Sequence, residues 1–143
     1  MGYRSEVVAL FYTSPVAMND QSKEENDALN KRNMATLDLF MKENFPESLA
    51  ECLTKEEADG RVVWKFYEGD TKWYEAFPEV QEFDNFWDKF VELVDTEANE
   101  GDDPIFWACE FIRIGENDED IEIKASHEAE WLARVQRTIE FNY

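Results

Sequence analysis

The residues of this sequence that could do chemistry are few in kind, and carboxylates dominate them. A single histidine, His127, is present, so any Ser-His-Asp or Cys-His site has to use it. Ser126 precedes it, but neighbours on an extended chain point to opposite faces, which separates the pair. His127 is therefore expected at the surface or in a turn. Cys52 and Cys109 lie in apolar settings without CxxC spacing, and no leader sequence is recognisable. Reduced core thiols are expected, and zinc is not. Gly69, Gly101 and Gly115 stand singly among acids, unlike the glycine loops that cradle phosphate.

Carboxylates offer two other chemistries. Asp118-Glu119-Asp120 with Glu122, and the pair Asp102-Asp103, could give hard oxygen ligands to calcium or magnesium. A metal-dependent hydrolase would rest on Asp118, Asp120 or Glu122. Neither segment has the alternating acids and sixth-position glycine of the twelve-residue calcium loop, so solvated charged turns are expected. A glycosidase pair needs two acids facing each other across a cleft. Among 34 acids a chance pair decides nothing. The expectation is a protein without cofactor, metal or catalytic residues.

The acids are unevenly placed, and that is the informative fact. The 143 residues carry a net charge of −20, which favours solubility and opposes compaction. Residues 75–123 hold 17 acids against Lys89 and Arg113, a net of −15, whereas residues 1–72 carry −5 and residues 124–143 carry 0. General adaptation to salt would spread the acids evenly. Binding nucleic acid directly would need Lys and Arg in their place, and anionic lipid would repel this charge. The longest apolar runs are far shorter than a membrane span requires.

The elements that position these acids can be read from periodicity. Glu6–Tyr12 and Arg61–Tyr67 read as strands, with Glu68–Thr71 as a turn and Lys72–Tyr74 as a short paired return. Lys23–Asn44 reads as a helix stopped by Asn44 and Pro46, and Glu47–Cys52 as a further helical turn. Ile105–Ile114 and Ile121–Lys124 read as strands, as does Val135–Tyr143, where Ile139 and Phe141 alternate with polar residues. Thr96–Asp103 is a polar loop, and His127–Arg134 is a bulge, loop or short turn. The plainest helix is Pro78–Asp95, with Val80, Phe83, Trp87, Phe90 and Val94 at spacings of three and four. Pro78 suits its first position. The order is β-α-β-α-β-β-β in one α+β domain, with two helices on one face of a mostly antiparallel sheet of about five strands.

That apolar stripe predicts which acids face water. Glu79, Glu82, Asp84, Asp88, Glu92 and Asp95 fall opposite it. Asp84, Asp88, Glu92 and Asp95 form a file at i, i+4, i+8 and i+11, a carboxylate about every 6 Å along the helix axis. Only Lys89 interrupts it. The spacing approaches that of phosphates along a nucleic-acid strand. Asp102, Asp103, Glu116, Asp118, Glu119 and Asp120 flank the helix in sequence and would extend the face if the segments meet.

Three strings carry a resemblance: Met1-Gly-Tyr-Arg-Ser-Glu-Val7, Lys72-Trp-Tyr-Glu-Ala-Phe-Pro-Glu-Val80 and Phe111-Ile-Arg-Ile-Gly-Glu116. Together they resemble a family of small acidic proteins of bacteriophages and prophages. The resemblance implies phage origin and residence in the host cytosol, and it transfers no catalytic residues. Phages commonly make small acidic proteins that mimic DNA and block restriction enzymes, CRISPR complexes or topoisomerases such as gyrase, an analogy of class alone.

Two readings follow from the sequence. In the first, the acidic face binds a basic DNA-binding host protein as a DNA mimic. In the second, an aromatic patch at Trp73, Tyr74 and Phe77 binds a host protein and the acids serve solubility. The sequence leaves the oligomeric state open, a dimer included.

Overall fold

Strand β1 (Ser5–Thr13) is the middle of the sheet because both of its faces are apolar. Val7, Ala9 and Phe11 point one way and Val8, Leu10 and Tyr12 the other, and all but Val8 are buried. A computed structural model gives the fold and describes residues 3–15, 17, 19–97, 105–117, 119–127 and 129–133. After β1 come α1 (Lys23–Asn44), a 3-10 turn (Glu47–Cys52), β2 (Leu53–Ala58), β3 (Arg61–Thr71), α2 (Pro78–Glu97), β4 (Trp107–Gly115) and β5 (Ile121–Ala125). The strands form one sheet in the order β2-β3-β1-β4-β5, with every neighbouring pair antiparallel. The expected α+β architecture, two main helices with an antiparallel sheet, is the observed one; among the described residues the sheet has five strands and the order is β-α-β-β-α-β-β, not the expected β-α-β-α-β-β-β.

Both helices cover the face that carries Phe11. Ser22 caps α1, its hydroxyl accepting the Glu25 backbone N–H at 3.1 Å, and α1 sends Leu37 and Met41 into the core. The α2 stripe of Val80, Phe83, Trp87, Phe90 and Val94 is buried as its spacing predicts, and Phe86 joins it. Phe11 is fully buried and meets Phe86 and Phe90 edge-on at 5.1 Å and Trp87 at 5.9 Å. Such pairs add about 0.5–1.5 kcal/mol each beyond the area they bury.

The opposite face is held differently. Leu10, Tyr12 and Ala108 make a small apolar cluster with Val8, Val63 and Ala133 packed against it. Glu110 sits on the same face and is only 2% exposed. Its carboxylate accepts the Tyr12 hydroxyl and the backbone N–H groups of Leu132 and Ala133, the latter two at 2.9 Å each. Tyr12 in turn accepts the Glu130 N–H at 2.7 Å, and Arg61 pairs with Glu130 at 2.9 Å. Residues 129–133 are thereby laid across the sheet as an irregular strap. Burial, and then the bond to Glu110, push the Tyr12 hydroxyl pKa upward.

Three expectations are corrected. Strand β2 was not foreseen; Asp59 and Gly60, both at positive φ (55° and 80°), join it to β3 in a two-residue hairpin loop. Glu68–Thr71 is no turn but the end of β3, which stays paired to β1 from Tyr12↔Val63 to Ser5↔Thr71 with a bulge between Ser5 and Val7. Lys72–Tyr74 is an unpaired loop, because the Trp73 ring turns into the helix-side core. The strand expected at Val135–Tyr143 and most of the loop expected at Thr96–Asp103 lie outside the described residues.

Candidate functional site: an acidic helix face and the cleft beside it

The β4–β5 hairpin register decides what faces α2. Arg113 lies opposite Glu122 and Phe111 opposite Lys124, so these side chains share the helix-bearing face. The Arg113 guanidinium donates to both oxygens of Asp120, at 2.8 and 3.1 Å, and reaches Ser5 Oγ at 3.3 Å and Glu122 at 3.5 Å. The Tyr3 hydroxyl donates to Asp120 at 2.7 Å. Arg113 first, then Tyr3, holds the Asp120 pKa down to about 2. Gly115 closes this corner, since a Cβ there would lie 2.2 Å from both the Tyr3 hydroxyl oxygen and the Asp120 carboxylate.

Lys124 lies one pleat further along, with its ammonium 4.6 Å from the Phe111 ring centre and 5.3 Å from that of Trp87. Opposite it, the loop before α2 lays down an aromatic wall. Trp73 packs on Phe83 at 5.3 Å and Phe66 at 5.9 Å, and Tyr74 packs edge-on against Phe77 at 5.1 Å. Between this wall, α2 and the hairpin is a cleft of about 630 Å³. Glu75, Asp84, Asp120 and Glu122 line it alongside Arg113 and Lys124, leaving the lining net negative.

Asp84 is the unusual member of the cleft. It is half-buried and, among the described residues, makes no hydrogen bond or ion pair. Burial raises its pKa, Lys124 opposes that rise, and Asp88, Glu122 and Glu75 add to it. Comparison with protein-family models, curated proteins and solved structures gives no match. The functional reading therefore stands on this geometry.

The expected acidic residues divide into groups. Asp88, Glu92 and Asp95 are exposed along α2. Asp84, expected in the same exposed file, is drawn into the cleft because it lies on the flank of α2 that faces β5. Glu82 is exposed on the other flank, where it accepts the Ser48 hydroxyl at 2.9 Å, and Glu79 is half-buried. Lys89 does not interrupt the file: it turns toward α1, bonding Asn44 at 2.7 Å and lying over the Phe40 ring. Glu116 and Glu119 are exposed beside β4–β5, and Glu116 accepts the Arg4 backbone N–H. Asp120 is engaged by Arg113 and Tyr3. Asp102, Asp103 and Asp118 lie outside the described residues.

No group of three or more Asp, Glu, His or Cys is placed to hold a metal ion among the described residues. His127 is exposed in a turn, while Ser126 is buried and exchanges hydrogen bonds with the Cys109 backbone. Burial pushes the Cys109 thiol up to about 12 and so keeps it protonated. Sequence reasoning did not name Tyr3, Arg113 or Lys124 for the site, nor Glu75. The available signal was the alternation Arg113/Phe111 and Glu122/Lys124 on two strands joined by a short turn, which puts all four on one face.

Proposed function

We propose that the protein works by charge presentation, offering the exposed carboxylates of α2 to a basic DNA-binding protein of a bacterial host in the manner of a DNA mimic. The observation that carries this reading is the file of Asp88, Glu92 and Asp95, with Lys89 turned out of it and the acidic β4–β5 hairpin beside its first turns. A basic groove that normally tracks phosphates would meet carboxylates at similar spacing. The reading is non-enzymatic and places the protein in the host cytosol; no helix among the described residues is long and apolar enough to cross a membrane.

The test is affinity capture from host lysate at low and high salt, using wild type and D88K/E92K. Capture of a nucleic-acid-binding protein that DNA displaces, lost at high salt and lost in the variant, is the expected result. Capture that tolerates salt and survives the double reversal overturns it. The aromatic reading is narrowed: Trp73 is packed on Phe66, Phe83 and Phe111 as a wall of the cleft, so it does not stand as an open surface patch.

A further inference from the structure

The cleft between the Trp73–Phe77 loop and the β4–β5 hairpin has a chemistry distinct from that of the exposed file. It has volume, packed aromatic walls and a carboxylate, that of Asp84, which makes no hydrogen bond or ion pair among the described residues. Its two cations are already committed. Arg113 is held by both oxygens of Asp120, and Lys124 lies on the Phe111 and Trp87 rings. An anionic ligand would meet four carboxylates and no free guanidinium.

We infer that this cleft is a socket for one arginine side chain of the partner protein, whose guanidinium pairs with Asp84 and stacks against Tyr74 beside Trp73. The inference rests on the charge-presenting reading above and names the chemistry of one contact within it. Three features select a guanidinium over other groups. The cleft retains net negative charge after its internal pairs are formed. Its wall is aromatic and held in place, since Trp73 packs on Phe83 and Phe66. A planar cation both stacks on such a ring and offers a two-pronged donor to a carboxylate, which an ammonium cannot do. The position is also apt, because Asp84 begins the line that Asp88, Glu92 and Asp95 continue. One arginine would anchor in the cleft while its neighbours lie along the helix.

The probe is the capped tripeptide Ac-Gly-Arg-Gly-NH2, titrated into the full chain labelled with nitrogen-15. The expected result is a saturable shift of the Trp73 indole N–H and of the Tyr74, Glu75, Asp84 and Lys124 amides. The citrulline tripeptide should leave them unmoved, and the lysine tripeptide should bind about threefold or more weakly. Asp84→Asn and Tyr74→Ala should each weaken the arginine peptide by about threefold or more while the remaining spectrum keeps its dispersion. Lys124→Met, which removes a competing cation, should tighten it. Equal binding by wild type and Asp84→Asn, or shifts confined to Asp88, Glu92 and Asp95, overturns the socket.

A hexa-arginine peptide separates this failure from failure of the broader reading. If it binds α2 in a salt-sensitive way while the tripeptide ignores the cleft, the socket falls and charge presentation stands. If the tripeptide enters the cleft but D88K/E92K still captures the same host protein, the socket stands and the file is not what that protein binds.

Discussion

Glu110 and Asp84 are both acids withdrawn from water against the same sheet, on opposite faces, and the fold treats them in opposite ways. Glu110 is nearly inaccessible and has three donors converging on it, two of them backbone N–H groups of the strap at residues 132 and 133. Asp84 is only half-buried, yet no donor reaches it among the described residues. A buried carboxylate with its bonds made holds structure together. One left without them at the edge of a cleft costs stability, and such costs gather where a protein meets something else. The contrast identifies Glu110 as an anchor and Asp84 as a candidate contact.

Substitutions can break this contrast. Glu110→Ala should have the largest effect, lowering stability by about 3–5 kcal/mol in chemical denaturation, because the Tyr12 hydroxyl and two strap N–H groups lose their acceptor. Hydrogen exchange at Leu132 and Ala133 should accelerate at the same time. D88K/E92K should weaken the salt-sensitive partner by about tenfold or more while leaving the denaturation midpoint nearly unchanged. Tyr12→Phe should cost about 1–2 kcal/mol, since it removes one donor to Glu110 and the acceptor for the Glu130 N–H. Asp84→Asn should act in the other direction, stabilising the fold by less than about 1 kcal/mol once solvent screening is counted. A loss of stability of several kcal/mol in Asp84→Asn would place Asp84 with Glu110 as an anchor.

The pH dependence sharpens the same point through its sign. Burial raises the Asp84 pKa in the folded state, so its ionised form opposes folding at neutral pH. That opposition fades as pH falls through the raised pKa. Asp120 is the reverse case, with a folded pKa of about 2 against an ordinary 3.8. Its stabilising contribution is complete above pH 4 and disappears as pH falls toward 2. Melting wild type, Asp84→Asn and Asp120→Asn between pH 2 and pH 6 should show the two slopes with opposite sign. The same slope for both variants would mean the assigned environments are wrong.

Most of the fold was legible because its strongest signals were periodic. The α2 stripe and the apolar runs of β1 and β4 state their burial outright. Strand β2 was illegible as a strand because Leu53–Ala58 is a largely exposed, half-charged edge segment without apolar alternation. Its evidence lay in Asp59-Gly60, a hairpin pair flanked by residues that only become strands by pairing. The end of β3 was misread for a related reason: Glu68-Gly69-Asp70 has turn composition, and the long register with β1 overrides it. The site was half legible. Helical spacing located Asp88, Glu92 and Asp95 on the surface. It could not separate Asp84 from them, because a 3.6-residue period fixes an angle on the helix and not what stands beside that angle. Only the β4–β5 hairpin makes that flank a wall.

The sheet order has a consequence for how the molecule is made. Its central strand precedes both neighbours, and Ser5 finds its partner in β4 at Gly115. During synthesis β1 waits, with Val7, Leu10, Phe11 and Tyr12 uncovered, until β3 closes one side and β4 the other. Closure across such separations is slow, and an unpaired apolar strand is the segment most open to wrong pairing in the interval.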